Sequence, residues 1–245
     1  MHPPVVIELV GLPGSGKTTL CRHLCAAGSI GDLALVPCIS ASFGRTATSH
    51  LPLLTRKLIA AWRVLQSFLR HPRTSWLFLR FGLASRPRTL WKLEQSFSGI
   101  AMLPRLEREQ ASPRPRPEAW VFEQGVVQLL GSIALPSEGS APPGARVLAP
   151  ALLSGRISGL VWTECAPLVS LKRLRGRSHS RSRFNDWSDA EAEAYMAVML
   201  TVLREAVQAA EDVGVPVLRL DALRPVGTNS ALIADWIAGL GDRRR

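Results

Sequence analysis

The residues with the most specific chemistry lie close to the start of the chain. Gly11-Leu12-Pro13-Gly14-Ser15-Gly16-Lys17-Thr18 fits the spacing GxxxxGK[ST] at every fixed position, and Thr19 follows it. Glycines at 14 and 16 allow the backbone to curl, so that successive N–H groups point inward at an anion. A helix opening at this point adds the positive end of its dipole. The Lys17 ammonium can reach the outer phosphates of a polyphosphate, and the Thr18 hydroxyl is a hard oxygen donor suited to Mg²⁺. Two further groups stand out. Glu123 ends the apolar run Trp120-Val121-Phe122 with a carboxylate. The basic stretch from Lys172 to Arg183 includes Arg173, Arg177, Arg181 and Arg183, whose planar guanidinium groups suit phosphoryl oxygens.

These groups need a scaffold, and the hydrophobic pattern supplies one. Val5–Val10, Leu33–Cys38, Trp120–Phe122, Ile157–Thr163 and Val215–Leu220 read as strands. Helical patterns lie between them: 18–27, 126–135, 146–153, 167–174, 189–213 with Ser188 as N-cap, and 229–240. Strands alternating with helices imply a parallel sheet of about five strands covered on both faces, in one α/β domain spanning 1–245. The interval 44–117 is different. It reads as three helices, Leu51–Arg70, Thr74–Leu83 and Thr89–Leu103, closed by the linker Ser112–Pro117. In the first of these, Leu54, Leu58, Ala61, Leu65 and Phe68 recur every three or four residues, the spacing of an apolar helix face.

Charge separates this interval from the rest. It holds 14 basic and three acidic residues, the whole of the chain's formal net charge of +11. Such a region meets an anionic acceptor, lies on an anionic membrane, contacts nucleic acid, or presents a solvated face. Arg45, Arg56, Arg63, Arg80 and Arg88 are candidate clamps, while Trp62, Trp76 and Trp91 are expected to pack in the core. No apolar run is long enough for a membrane span, and no secretory signal pattern opens the chain. The four cysteines show no CxxC spacing, so a reducing cytoplasm is expected and a zinc ribbon is not. The five histidines form no HxH or HExxH pair, leaving Mg²⁺ as the expected metal.

On Gly11–Thr18 and its strand-loop-helix setting, the chain resembles P-loop NTPases. The sequence GLPGSGKTT is similar to that of the nucleoside and nucleotide kinases, a group that includes thymidylate-kinase-like proteins. That resemblance implies ATP and Mg²⁺ as cofactors. It implies Lys17, Glu123 and the arginines Arg173, Arg177, Arg181 and Arg183 as catalytic groups, with Thr18 and Glu123 at the metal. The segment 175–186 corresponds to an Arg-rich lid, and 44–117 to an acceptor-binding insertion. Gln124 stands where the Glu-Arg version of the strand-end motif has Arg. The expected activity is ATP-dependent phosphoryl transfer to a small, anionic acceptor. A nucleoside monophosphate kinase and a non-metabolic ATP-binding switch or scaffold are the alternatives. No NKxD guanine-reading motif occurs.

Overall fold

The computed structural model describes residues 3–38, 52–84, 90–134, 144–176, 184 and 187–242. Its strands are β1 (Val5–Gly11), β2 (Ser29–Ile30), β3 (Leu33–Cys38), β4 (Glu118–Phe122), β5 (Gly159–Glu164) and β6 (Val217–Asp221). They form one sheet in the order β2-β3-β4-β1-β5-β6. The five strands expected from the sequence are present and mutually parallel. A sixth, β2, pairs antiparallel with β3 at the edge, so the sheet is mixed and mostly parallel. Two residues are too few to leave a periodic signal, which is why the sequence did not show it.

β1 is buried along its whole length, and its side chains alternate between two cores. Val5, Ile7 and Leu9 face α1 (Lys17–Ala26) and α9 (Val226–Asp242), with Leu20, Leu24, Ile233 and Ile237 opposite. Val6 and Val10 face the other layer, built from α4 (Leu90–Ala111), α5 (Val126–Ile133), α6 (Ala145–Leu153) and α8 (Asp189–Asp212). Each such side chain contributes about 1.5–3 kcal/mol when fully buried. Glu8 lies between Val6 and Val10 and so points into the second core. There it is fully buried.

The interval between β3 and β4 contributes α2 (Leu53–Arg70), α3 (Pro72–Ala84) and α4. Pro72 opens α3, where its missing N–H costs nothing. Phe78, Phe81, Ile100 and Leu103 enter the main core, so the inner part of this insertion is integral to the domain. α4 passes through Pro104 and runs eight residues beyond the expected end at Leu103. Its last turns are held from outside, since Glu107 meets Arg156 at 2.7 Å and His71 at 2.7 Å.

α2 turns most of its apolar face outward. Leu54, Leu58 and Leu65 are exposed, as is Ala61, and Phe68 is only partly buried. The expectation that tryptophans pack inside fails at two positions. Trp62 is 57% exposed and Trp76 is 59% exposed. The face of α2 that does pack is the less apolar one. Val64 and Phe68 touch the core, and the Ser67 and Ser75 hydroxyls meet at 3.0 Å where α2 crosses α3. The remaining helices are α7 (Pro167–Arg175) and α8. Ser188 caps α8 as expected. Its hydroxyl accepts the Glu191 N–H, and the Glu191 carboxylate accepts the Ser188 N–H in return.

Candidate functional site

β1 sits centrally, and the chain runs from it outward to β3, back to β4, then across to β5. Crevices in parallel sheets open where the direction of winding changes, beyond the carboxyl ends of the strands. Here that place lies past β1 and β4, which run side by side with Ile7 opposite Val121 and Glu8 opposite Phe122. Gly11–Gly16 leaves the end of β1, and Glu123 follows the end of β4.

The loop is tied down at several points. Gly14 and Gly16 take left-handed φ of 90° and 93°, which turn the chain into α1. The Ser15 N–H donates to the Leu12 carbonyl at 3.1 Å. The Ser15 hydroxyl meets the Thr163 hydroxyl at 2.8 Å, and Thr163 donates to the Val10 carbonyl at 3.0 Å. The Gly11 N–H donates to Gln128 Oε1 at 3.0 Å. The Ser170 hydroxyl on α7 donates to the Pro13 carbonyl. A Cβ on Gly14 would come within 2.5 Å of the Ser170 carbonyl oxygen, so α7 is packed hard against the loop.

Lys17 bridges the loop from below. Its Nζ donates to the carbonyls of Gly11 and Leu12 at 2.8 Å each, and it is 8% exposed. The Thr18 hydroxyl donates to Glu123 Oε1 across 105 residues of sequence. Both residues are partly exposed, and Thr19 is exposed. The structure thus brings together Gly11, Pro13, Gly14, Ser15, Gly16, Lys17, Thr18 and Glu123.

The basic residues divide. Arg173 lies in the last turn of α7 and donates through Nη1 to the Ala222 carbonyl at 3.0 Å, linking α7 to the turn after β6. Arg175 pairs with Asp189 and donates to the Trp187 carbonyl at 2.8 Å. Arg177, Arg181 and Arg183 lie outside the described residues, as do Arg45, Arg88 and the side chains of Arg56 and Trp91. Arg63 on α2 and Arg80 on α3 are described, the first partly buried and the second exposed.

Sequence reasoning missed four supporting residues: Glu8, Gln128, Thr163 and Ser170. Glu8 Oε1 accepts the Gln128 N–H at 2.7 Å, and the backbone N–H groups of Gly125, Val126 and Val127 also point at the carboxyl. The carboxyl therefore anchors the start of α5, directly after Glu123. Burial pushes its pKa up to about 7 despite these donors. A Cβ on Gly125 would fall 2.3 Å from Glu8 Cδ, so this close approach requires glycine.

The donor set fits Mg²⁺. That ion binds proteins through one or two hard oxygens and fills its remaining positions with phosphate and water. Thr18 and Glu123 offer such a pair. Among the described residues no group of three or more His, Cys, Asp and Glu side chains could hold a metal. No helix among the described residues is long and apolar enough to cross a membrane.

No protein-family model matches the sequence, and comparison with curated proteins gives no match. Among solved structures, the fold is similar to shikimate kinase from Bacteroides thetaiotaomicron, with a TM-score of 0.50 and 14% identity. The match covers 96% of this chain and 98% of that one. At that identity the likeness concerns the fold: a mostly parallel sheet flanked by helices, of the P-loop NTPase kind.

Proposed function

We infer that the protein catalyses ATP-dependent phosphoryl transfer to a small, anionic acceptor. The observation that carries this reading is the Thr18–Glu123 contact, which places a carboxylate beside the phosphate-type loop. A glycine-rich loop alone binds phosphate. A strand-end carboxylate at its mouth adds the group needed to activate an acceptor hydroxyl or to order metal-bound water.

Each residue then has a role set by its chemistry. The N–H groups of Gly14–Lys17 and the start of α1 hold phosphate oxygens. Lys17 neutralises charge on the outer phosphates. Thr18, with Glu123 at its side, would hold Mg²⁺, which when bound screens phosphate charge. Glu123 accepts the acceptor's hydroxyl proton or fixes the water that does. Arg173 keeps α7 against the loop through its bond to Ala222. Arg177, Arg181 and Arg183 are assigned as charge-neutralising groups on sequence alone. The basic interval 44–117 supplies the acceptor site in this reading. A nucleoside monophosphate is one acceptor that fits.

The test is ADP release from Mg·ATP with pooled small acceptors, in wild type, Lys17→Ala and Glu123→Gln. Losing one electrostatic contact to the transferring group costs about 10²–10³ in turnover, and losing a positioned base costs about 10²–10⁴. One pool should therefore accelerate wild type alone, with ATP still bound by Glu123→Gln. If no pool matters and Glu123→Gln behaves as wild type, the carboxylate has no part in catalysis. An ATP-binding switch then describes the protein better.

A further inference from the structure

We propose that α2 is a docking surface for an anionic lipid bilayer, a property that stands apart from the phosphoryl-transfer reading. Leu54, Leu58, Trp62, Leu65 and Leu69 are 48–72% exposed. At 3.6 residues per turn they fall within an arc of about 80°, forming a straight stripe about 22 Å long. Soluble proteins rarely leave so continuous an apolar stripe in water. The helix spends its other, less apolar face on the protein through Val64, Ser67 and Phe68. The stripe is therefore not a core face that happens to be shallow. It points away from the core.

Charge selects the occupant. No acidic residue occurs between Asp32 and Glu94, while 53–84 carries Arg56, Lys57, Arg63, Arg70, Arg73 and Arg80. Among the described residues, Lys57, Arg63, Arg70, Arg73 and Arg80 make no ion pair. A protein groove lined with acids could meet the cations, but it would need contours to match a featureless stripe. A nucleic acid would meet cations at the centre of its contact, and here the centre is leucine and tryptophan. A bilayer suits both parts. Its acyl boundary takes Leu and Trp, and its anionic headgroups take the exposed cations that α2 and α3 carry outside the stripe. α3 adds a mixed face, with Trp76 and Leu83 exposed and Arg73 and Arg80 on the same side of the helix. The helix would lie in the plane of the interface, since no described helix can span a membrane.

The experiment is cosedimentation of the full chain with two kinds of vesicle. One is phosphatidylcholine alone, and the other is a three-to-one mixture of phosphatidylcholine with phosphatidylglycerol. Each cation brought to an anionic surface strengthens partition roughly fivefold, so the mixture should bind the protein well and phosphatidylcholine weakly. Leu58→Gln with Leu65→Gln should lower partition at least tenfold, because two buried leucines are lost from the lipid contact. Arg70→Gln with Arg73→Gln should lower it more than fivefold on the mixed vesicles only. Both double variants should melt as wild type does, since all four side chains are exposed. Equal binding to both vesicles, or binding that the leucine variant leaves unchanged, overturns the proposal. So does a dimer that the leucine variant dissolves while lipid has no effect, which would make the stripe an interface between copies. A leucine variant that loses its thermal transition would place the stripe inside the fold and also overturn it.

Discussion

Glu8 offers the sharpest test of how this site is held. Its carboxyl is fully buried, accepts N–H groups at the start of α5, and leaves Oε2 without a partner. Burial moves its pKa from 4.5 to about 7. The folded state therefore keeps a proton that the unfolded chain releases between those two values. Stability from this group is present below pH 4.5 and is lost as pH rises through 7. The full effect is about 3 kcal/mol, most of which falls between pH 5 and pH 8. Glu8→Gln keeps the shape and an acceptor oxygen but cannot ionise. Urea unfolding of both proteins from pH 5 to pH 8 isolates the group, because every other titration cancels in the difference. The variant should gain about 2–3 kcal/mol relative to wild type across that range. Parallel curves would refute the reasoning. They would mean that the helix N-terminus outweighs burial and that Glu8 is ionised in the fold throughout.

Two further predictions concern the same scaffold. Gly125→Ala drives a methyl group into the Glu8 carboxyl, which lies 2.3 Å from the Cβ position. It should cost about 2 kcal/mol in urea unfolding, and Glu8→Ala should relieve that cost in a double-mutant cycle. Arg173→Ala removes the 3.0 Å bond to the Ala222 carbonyl. If Arg173 positions α7, KM for ATP should rise about tenfold with kcat changed less, whereas a group acting on the transition state would lower kcat instead.

The legible part of the site was the part whose chemistry is local. The loop's glycines, Lys17 and Thr18 act through spacing along ten residues, so their types alone reveal them. Glu123 was legible because it ends a short strand, and strand ends meet at one edge of a parallel sheet. The supports were not legible, because each acts across the fold. Thr163 reaches Ser15 over 148 residues, Gln128 reaches Gly11 over 117, and Ser170 reaches Pro13 over 157. Glu8 looked like one polar residue in an apolar strand, and only the placement of α5 gives it partners. α2 shows a different boundary. Periodicity located the stripe correctly but carried no information about what the stripe faces. Leu54, Leu58 and Leu65 lie in solvent, because α2 rests on α3 and α4 through its opposite side.

The charge map separates the two anion-binding features by range, and this leads to a last prediction. All of the net charge of +11 lies in 44–117, so the remainder of the chain is formally neutral. In the proposed reading the loop Gly11–Thr18 attracts nucleotide through oriented N–H groups, a helix end and Lys17, at contact distance. The insertion would attract anions through exposed cations acting across water, where the screening length is about 10 Å at 0.1 M salt and about 3 Å at 1 M. Raising salt should consequently weaken vesicle partition far more than it raises KM for ATP. Sedimentation and steady-state kinetics over one salt series compare the two directly. Should KM climb in step with the loss of partition, the insertion's cations must also draw nucleotide to the loop. The two sites would then share one field, and the exposed cations of α2 and α3 would serve the nucleotide as well as the membrane.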